Sequence, residues 1–369
     1  MPSGRLVRGV MLVALMLFGA VAHAELVVGV VLSLSGPAAP VGQAQQRVVA
    51  HLPRQIGDQR IRYELRDDAS DPDVARTAAI ALVETASADV IIGSTTVAAS
   101  SRLIDAMASR GVPVISPSAV ELGRIEPGGP SRWAFRTAPD TWLMANAVVA
   151  HLSSHARARV AFVAMRGPYG DAWWDAFGML AQTRRIHIEA YERFGTDPEA
   201  WSWSDAVAKT APDAVMVVAA GSIAVESVRR LRAAGFAGPI YQTHAVALEA
   251  FRHACADACA GVMMPASPAR LEEGEGPGRT FRTRLGPAAT TFGAYVWDAG
   301  LLLADAIGRI DARPGSADFR SALRDGLESV RGVEGVNGVF SMGPRDHVGL
   351  DQRAVILVSP GENGWQTAL

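Results

Sequence analysis

Lysine is almost missing from this chain of 369 residues: Lys209 is the only one, so arginine carries nearly all the positive charge. Such a bias reflects genome composition rather than function. Neither sign of charge is in excess. With 35 Lys and Arg against 37 Asp and Glu the formal net charge is −2, which excludes the basic footprint of a nucleic-acid binder. Disorder is excluded as well, because 49% of the residues are hydrophobic.

Catalytic motifs are equally scarce. No glycine-rich loop ends in Gly-Lys, no G-x-G-x-x-G follows the first strand, and neither a G-x-S-x-G elbow nor H-E-x-x-H occurs. His151 and His155 share a helix face, but exposed polar positions explain them better than a metal. Asp67 and Asp68 end the second strand, where a solvated turn cap is the expected role rather than acid–base chemistry. We therefore expect no enzyme, no cofactor and no metal.

Long apolar runs are limited to one. Arg5 and Arg8 precede an apolar run over 10–21, and Ala22-His23-Ala24 follows it: a secretory signal peptide, with cleavage expected after Ala24. The run is too short to span a bilayer comfortably, and no second one follows. Only two cysteines exist, Cys255 and Cys259 in "HACADACAG". In an oxidising exported compartment a lone pair bridges by default, with a metal site completed by His253 as the alternative.

What is present is a rhythm of apolar strand, turn and amphipathic helix. "LVVGVVLSLSG", "RIRYELRDD", "ADVIIGS" and "VPVIS" are strands with helices between them, including one over 72–86 and one over 98–110. After a Pro/Gly-rich crossing segment, "EPGGPSRWAFRTAPDT", the rhythm restarts with "ARVAFVAM", "IHIEAYERF", "DAVMVVAAG", "GPIYQT" and "GVMMPAS". Gly235 reads as the stop of a helix over 222–234. Helices over 290–310 and 316–327 follow, then short strands over 336–340 and 354–358. Continuous β-branched runs alternating with helices predict an α/β fold of two Rossmann-like, doubly wound lobes. Ligands of such sheets bind beyond the carboxyl ends of the strands. The serines of "SPSAVE" therefore raise a question: a tight connection, or hydroxyls and amides that hold a ligand?

The residues "VGVVLSLSGPAAPVG" (28–42), "DDASDPDVA" (67–75), "ADVIIGS" (88–94), "GVPVISPSAVEL" (111–122), "PYGDAWWDAF" (168–177), "VRRLRAAGFAGPIY" (228–241) and "GAYVWDAGLLLADAI" (293–307) appear in this order. Together they resemble the periplasmic branched-chain amino-acid-binding proteins, the type I substrate-binding components of ABC importers. The resemblance implies three crossovers and a hinged cleft, with lobe 1 over 25–140 and 268–329, and lobe 2 over 141–267 and 330–369. It implies a ligand shell at Ser94, Thr95, Thr96 and Val97, at Ser118, Ala119 and Val120, and at Tyr169, Gly221, Ser222, His244 and Tyr295. It also implies a small-molecule ligand, ABC permease partners in the inner membrane, and a monomer.

Each position has a plainer alternative. Ser94, Thr95 and Thr96 suit a helix cap, while Tyr169 and Tyr295 suit core packing. The departures also matter. Val97, Val120 and His244 stand where amino-acid binders use a serine, a threonine and an acid, and Ala69 and Thr96 replace a disulfide. A carboxylate or neutral polar ligand is expected rather than a free α-amino acid. A sensor module for a signalling partner, or an importer of branched-chain amino acids after all, are the other readings.

Overall fold

The computed structural model describes residues 25–368 apart from 124, 127, 269–275 and 363; the segment over 1–24, expected to be a signal peptide, lies outside the described residues. The run "LVVGVVL" is apolar on both faces and forms β1 (Leu26–Leu32), buried along its whole length. Then come α1 (Ala39–Val49), β2 (Gln55–Ile56), β3 (Gln59–Asp67), α2 (Pro72–Ala86), β4 (Val90–Gly93), α3 (Val97–Ala108), β5 (Val114–Ser116) and β6 (Ala134–Arg136). The first sheet has the order β2-β3-β1-β4-β5-β6, parallel throughout except for the β2–β3 hairpin. The helix over 72–86 has the expected bounds because Asp71 caps it. Its carboxylate accepts from the amides of Asp73 and Val74 at 2.8 and 3.0 Å, and Pro72 supplies a preset φ.

The second half contributes α4 (Thr141–Ser154), β7 (Arg159–Met165), α5 (Pro168–Thr183), β8 (His187–Phe194), α6 (Trp203–Lys209), β9 (Ala214–Val218), α7 (Gly221–Ala233), β10 (Ile240–Tyr241), α8 (Glu249–Cys255) and β11 (Val262–Ala266). Gly235 follows α7 at φ +85°, a left-handed stop that a side chain would resist. After these come α9 (Pro277–Leu285), α10 (Thr291–Ile307), α11 (Ala317–Glu328), β12 (Val333–Glu334), β13 (Val339–Phe340), β14 (Ile356–Gly361) and β15 (Gly364–Thr367). The second sheet runs β15-β14-β11-β10-β9-β7-β8. Two doubly wound α/β lobes result. Among the described residues no helix is long and apolar enough to cross a membrane.

Two expectations need correction. The crossing segment is not all linker: Ala134–Arg136 pairs in parallel with β5 and completes the first sheet before the chain leaves it. Residues 330–354, expected with the second lobe, pack on the first. Val330, Val336, Phe340, Met342, Leu350 and Ala354 share a core with β1, α10 and α11, so the last crossing falls between Ala354 and β14. The expected strand over 336–340 is only one arm of the β12–β13 hairpin.

Helix α10 anchors that core. Fourteen of its 17 residues are buried, as expected of a helix that is apolar all round. Gly293 and Gly300 let α1 and the turn after it approach closely, since a Cβ on Gly293 would fall 2.8 Å from Val48 Cγ2 and one on Gly300 2.6 Å from Leu52 Cδ2. Cys255 and Cys259 close the turn after α8, with sulfurs 2.18 Å and Cα atoms 5.4 Å apart. In exported protein, alkylation without reductant should label neither cysteine; two labelled thiols in mass spectra would exclude the bridge.

Candidate functional site

The carboxyl ends of β1, β4 and β5 present the serine-rich loops, and most of their hydroxyls are turned inward. Asp68 is fully buried, which corrects the solvated end expected for it. Its Oδ1 accepts from Ser33 Oγ at 2.7 Å and from the Ser70 amide at 2.9 Å, and its Oδ2 accepts from Ser94 Oγ. Thr95 Oγ1 accepts from the Ser33 amide at 3.0 Å and donates to Gln45 Oε1 at 2.7 Å. Thr96 caps α3, accepting from the Ala99 amide at 3.2 Å. Val97 is half-buried against the lobe core. The capping alternative thus describes Thr96, and Ser94 and Thr95 brace the loop.

The loop after β5 behaves in the same way. Ser118 Oγ lies 2.8 Å from Ser100 Oγ and 3.1 Å from Ser116 Oγ, in a buried hydroxyl cluster. Val120 directs its side chain into the first-lobe core, not toward the second lobe. The backbone is what remains on offer. Among the described residues the amides of Ala119 and Val120 donate to no group, although both residues are buried. A backbone amide shut off from water is costly unless something accepts from it.

From the second lobe come Tyr169, at the start of α5, and His244, after β10. The Tyr169 hydroxyl is buried without a hydrogen-bond partner, and burial pushes its pKa up. Thr243 and Trp173 lie beside that hydroxyl but do not meet hydrogen-bond geometry. His244 Nδ1 is also buried without a partner, and burial drives the ring down to about 4, so it is neutral. Its ring centre sits 6.3 Å from that of Phe292 on α10 of the first lobe.

Ala119, Tyr169, Tyr295 and Phe292 belong to one apolar cluster shared by both lobes. Within it Tyr295 is core, 1% exposed, with its carbonyl accepting from Thr137 Oγ1 at 2.8 Å. Phe292, one turn earlier, is the aromatic that meets His244, and sequence reasoning missed it. The sequence signal for it was only its place ahead of "GAYVWDAG". Gly221 and Ser222 stand apart. Both are exposed at the start of α7, where Ser222 lines an open groove of ≈ 490 Å³ with Thr196, Pro198, Glu199 and Arg229. Among the described residues no group of three His, Cys, Asp or Glu is placed to hold a metal.

The neutrality of His244 has a measurable consequence. Its folded pKa, about 4, lies below the ordinary 6.5, so its contribution to stability is present above pH 6.5 and lost as pH falls toward 4. His244→Gln should flatten that part of the stability profile by up to roughly 3 kcal/mol. Urea titrations of both proteins at a series of pH values would show it; parallel profiles would mean a solvated ring.

Two parallel α/β lobes, joined by three crossings and presenting loops toward one shared cluster, define a type I ligand-binding protein. Residues 25–361 match the family model described as periplasmic binding protein, and the chain belongs to that family. It is a family of ligand-binding and transport components rather than of enzymes. An extracellular ligand-binding receptor from Rhodopseudomonas palustris HaA2 is 29% identical, with a TM-score of 0.85 over 94% of this chain and 100% of that one. Two more distant structures share the fold. One is the branched-chain amino-acid transporter substrate-binding protein from Streptococcus pneumoniae in complex with isoleucine, 18% identical, TM-score 0.77, covering 93% and 98% of the two chains. The other is an R. palustris ABC transporter solute-binding protein in complex with benzoate, 19% identical, TM-score 0.76, covering 93% and 95%. No curated protein matches the chain in sequence.

Proposed function

We propose that the protein is exported, cleaved after Ala24, and works as a monomer that closes its lobes around a small molecule and delivers it to an ABC permease. The ligand is a carboxylate or neutral polar compound with an apolar body, not a free α-amino acid. One observation carries this reading: the second lobe offers a neutral imidazole where amino-acid binders offer an acid. The free amides of Ala119 and Val120 suit a carboxylate or carbonyl oxygen. Phe292 suits an apolar or planar body, and Tyr169 and His244 can meet polar atoms on its far side.

A thermal-shift screen of carboxylic acids, amides and amino acids tests the ligand class, with benzoate among the acids as a planar probe. Small-angle scattering then compares the protein alone with the protein saturated by the best compound. Contraction on binding is the expected result of hinge closure. A hit that leaves the scattering profile unchanged would refute the hinge.

A further inference from the structure

We propose that Arg136 is a positioning residue that ties the ligand loop to the hinge, through an ion pair with Asp140 spanning the first crossing between the lobes. Arg136 ends β6, the last strand before the chain leaves the first sheet. Its side chain is only 2% exposed, a costly place for a guanidinium. Nη1 donates to the carbonyl of Val120, at the tip of the loop after β5, while Nε is buried without a partner. The charge is met loosely, by Asp140 at 3.7 Å and Glu121 at 4.0 Å. Both separations exceed the ~2.8 Å of a charge-assisted hydrogen bond.

Asp140 is the N-cap of α4, the first helix of the second lobe, and accepts from the Leu143 amide at 2.6 Å. One carboxylate therefore serves a helix of one lobe and a cation of the other. The Arg136 amide also donates to the His347 carbonyl at 3.0 Å, and Asp346 adds a further negative charge nearby, shortly before the last crossing. Val120 moves with Arg136, since both belong to the first lobe. Asp140 does not. Rotation about 137–140 changes the Arg136–Asp140 separation, and a buried cation short of partners favours orientations that keep the carboxylate near. The pair holds the lobes toward the arrangement described here, with His244 facing Phe292. The inference rests on the hinge reading above but not on any ligand, so its experiment uses none.

Spin labels at Thr77→Cys on α2 and Met179→Cys on α5, both exposed positions, report the separation of the lobes by double electron–electron resonance. Asp140→Asn keeps a good helix cap and removes the charge. It should shift the ligand-free population away from the described separation by about fivefold or more, with the melting temperature moving less than about 3 °C. Arg136→Lys should shift it less, and Glu121→Gln not at all. A distance distribution unchanged by Asp140→Asn would overturn the proposal, as would an equal shift from Glu121→Gln.

Discussion

Asp298→Ala should remove about 3–5 kcal/mol of stability, because three buried donors would lose their acceptor at once. Asp298 is fully buried on α10. Its Oδ1 accepts from the Val336 amide at 2.7 Å, and its Oδ2 accepts from the Asn337 amide at 2.9 Å and from Asn337 Nδ2 at 2.6 Å. Gly335 leaves the room this requires, as a Cβ there would fall 2.8 Å from the carboxyl group. Burial pushes Asp298 up to about 7, against the pull of those three hydrogen bonds. The clamp fastens the segment that the sequence reading placed on the wrong lobe. Asp298→Asn keeps the volume but turns a donor toward donors, so its loss should be intermediate. Urea midpoints of the three proteins give the order, and a loss under about 1 kcal/mol for the alanine variant would mean that the segment finds other acceptors.

The second large effect belongs to the cleft. His244→Glu should improve the affinity for leucine relative to 4-methyl-2-oxopentanoate, its deaminated oxo acid, by about a hundredfold. The reason is the ammonium group. The carboxylate beneath the first-lobe loops, Asp68, is already committed to Ser33, Ser94 and the Ser70 amide. Glu121 is 48% exposed and faces Arg136. An α-ammonium enclosed beside neutral His244 would therefore lack an anion, and stranding such a charge costs several kcal/mol. A hundredfold ratio corresponds to about 2.8 kcal/mol of that cost. Competition binding of the two compounds to the parent and to the variant gives the ratio directly. No change in it would place the ammonium pocket elsewhere.

Much of the fold was legible because its signals are local. Asp71-Pro72 announces α2, Gly235 ends α7, and runs such as "LVVGVVL" can only be strands buried on both faces. What escaped depends on distance. Ala134–Arg136 is too short to show a period and sits among prolines and glycines, so only its partner β5 reveals it as a strand. Residues 330–354 carry no sign of which lobe they cover; the acceptors on Asp298 and the core around Phe340 decide that. For the candidate site, the sequence shows which loops follow the strands but not what their atoms meet. "SPSAVE" shows hydroxyls, but Ser100, 18 residues upstream of Ser118, is what occupies one of them. Tyr295, placed in the ligand shell by resemblance and weighed against core packing, lies in the core, 1% exposed. Three positions earlier on the same helix, Phe292 has the better placement.

The proposed ligand class, an acid or neutral polar compound without an ammonium group, is open to direct measurement. Titration calorimetry of the unmodified protein with leucine, isoleucine and valine, beside their oxo and hydroxy acids, tests it most directly. The best deaminated acid should bind at least about tenfold tighter than its parent amino acid, by 1.4 kcal/mol or more. Micromolar binding of leucine, with its oxo acid no tighter, would contradict it.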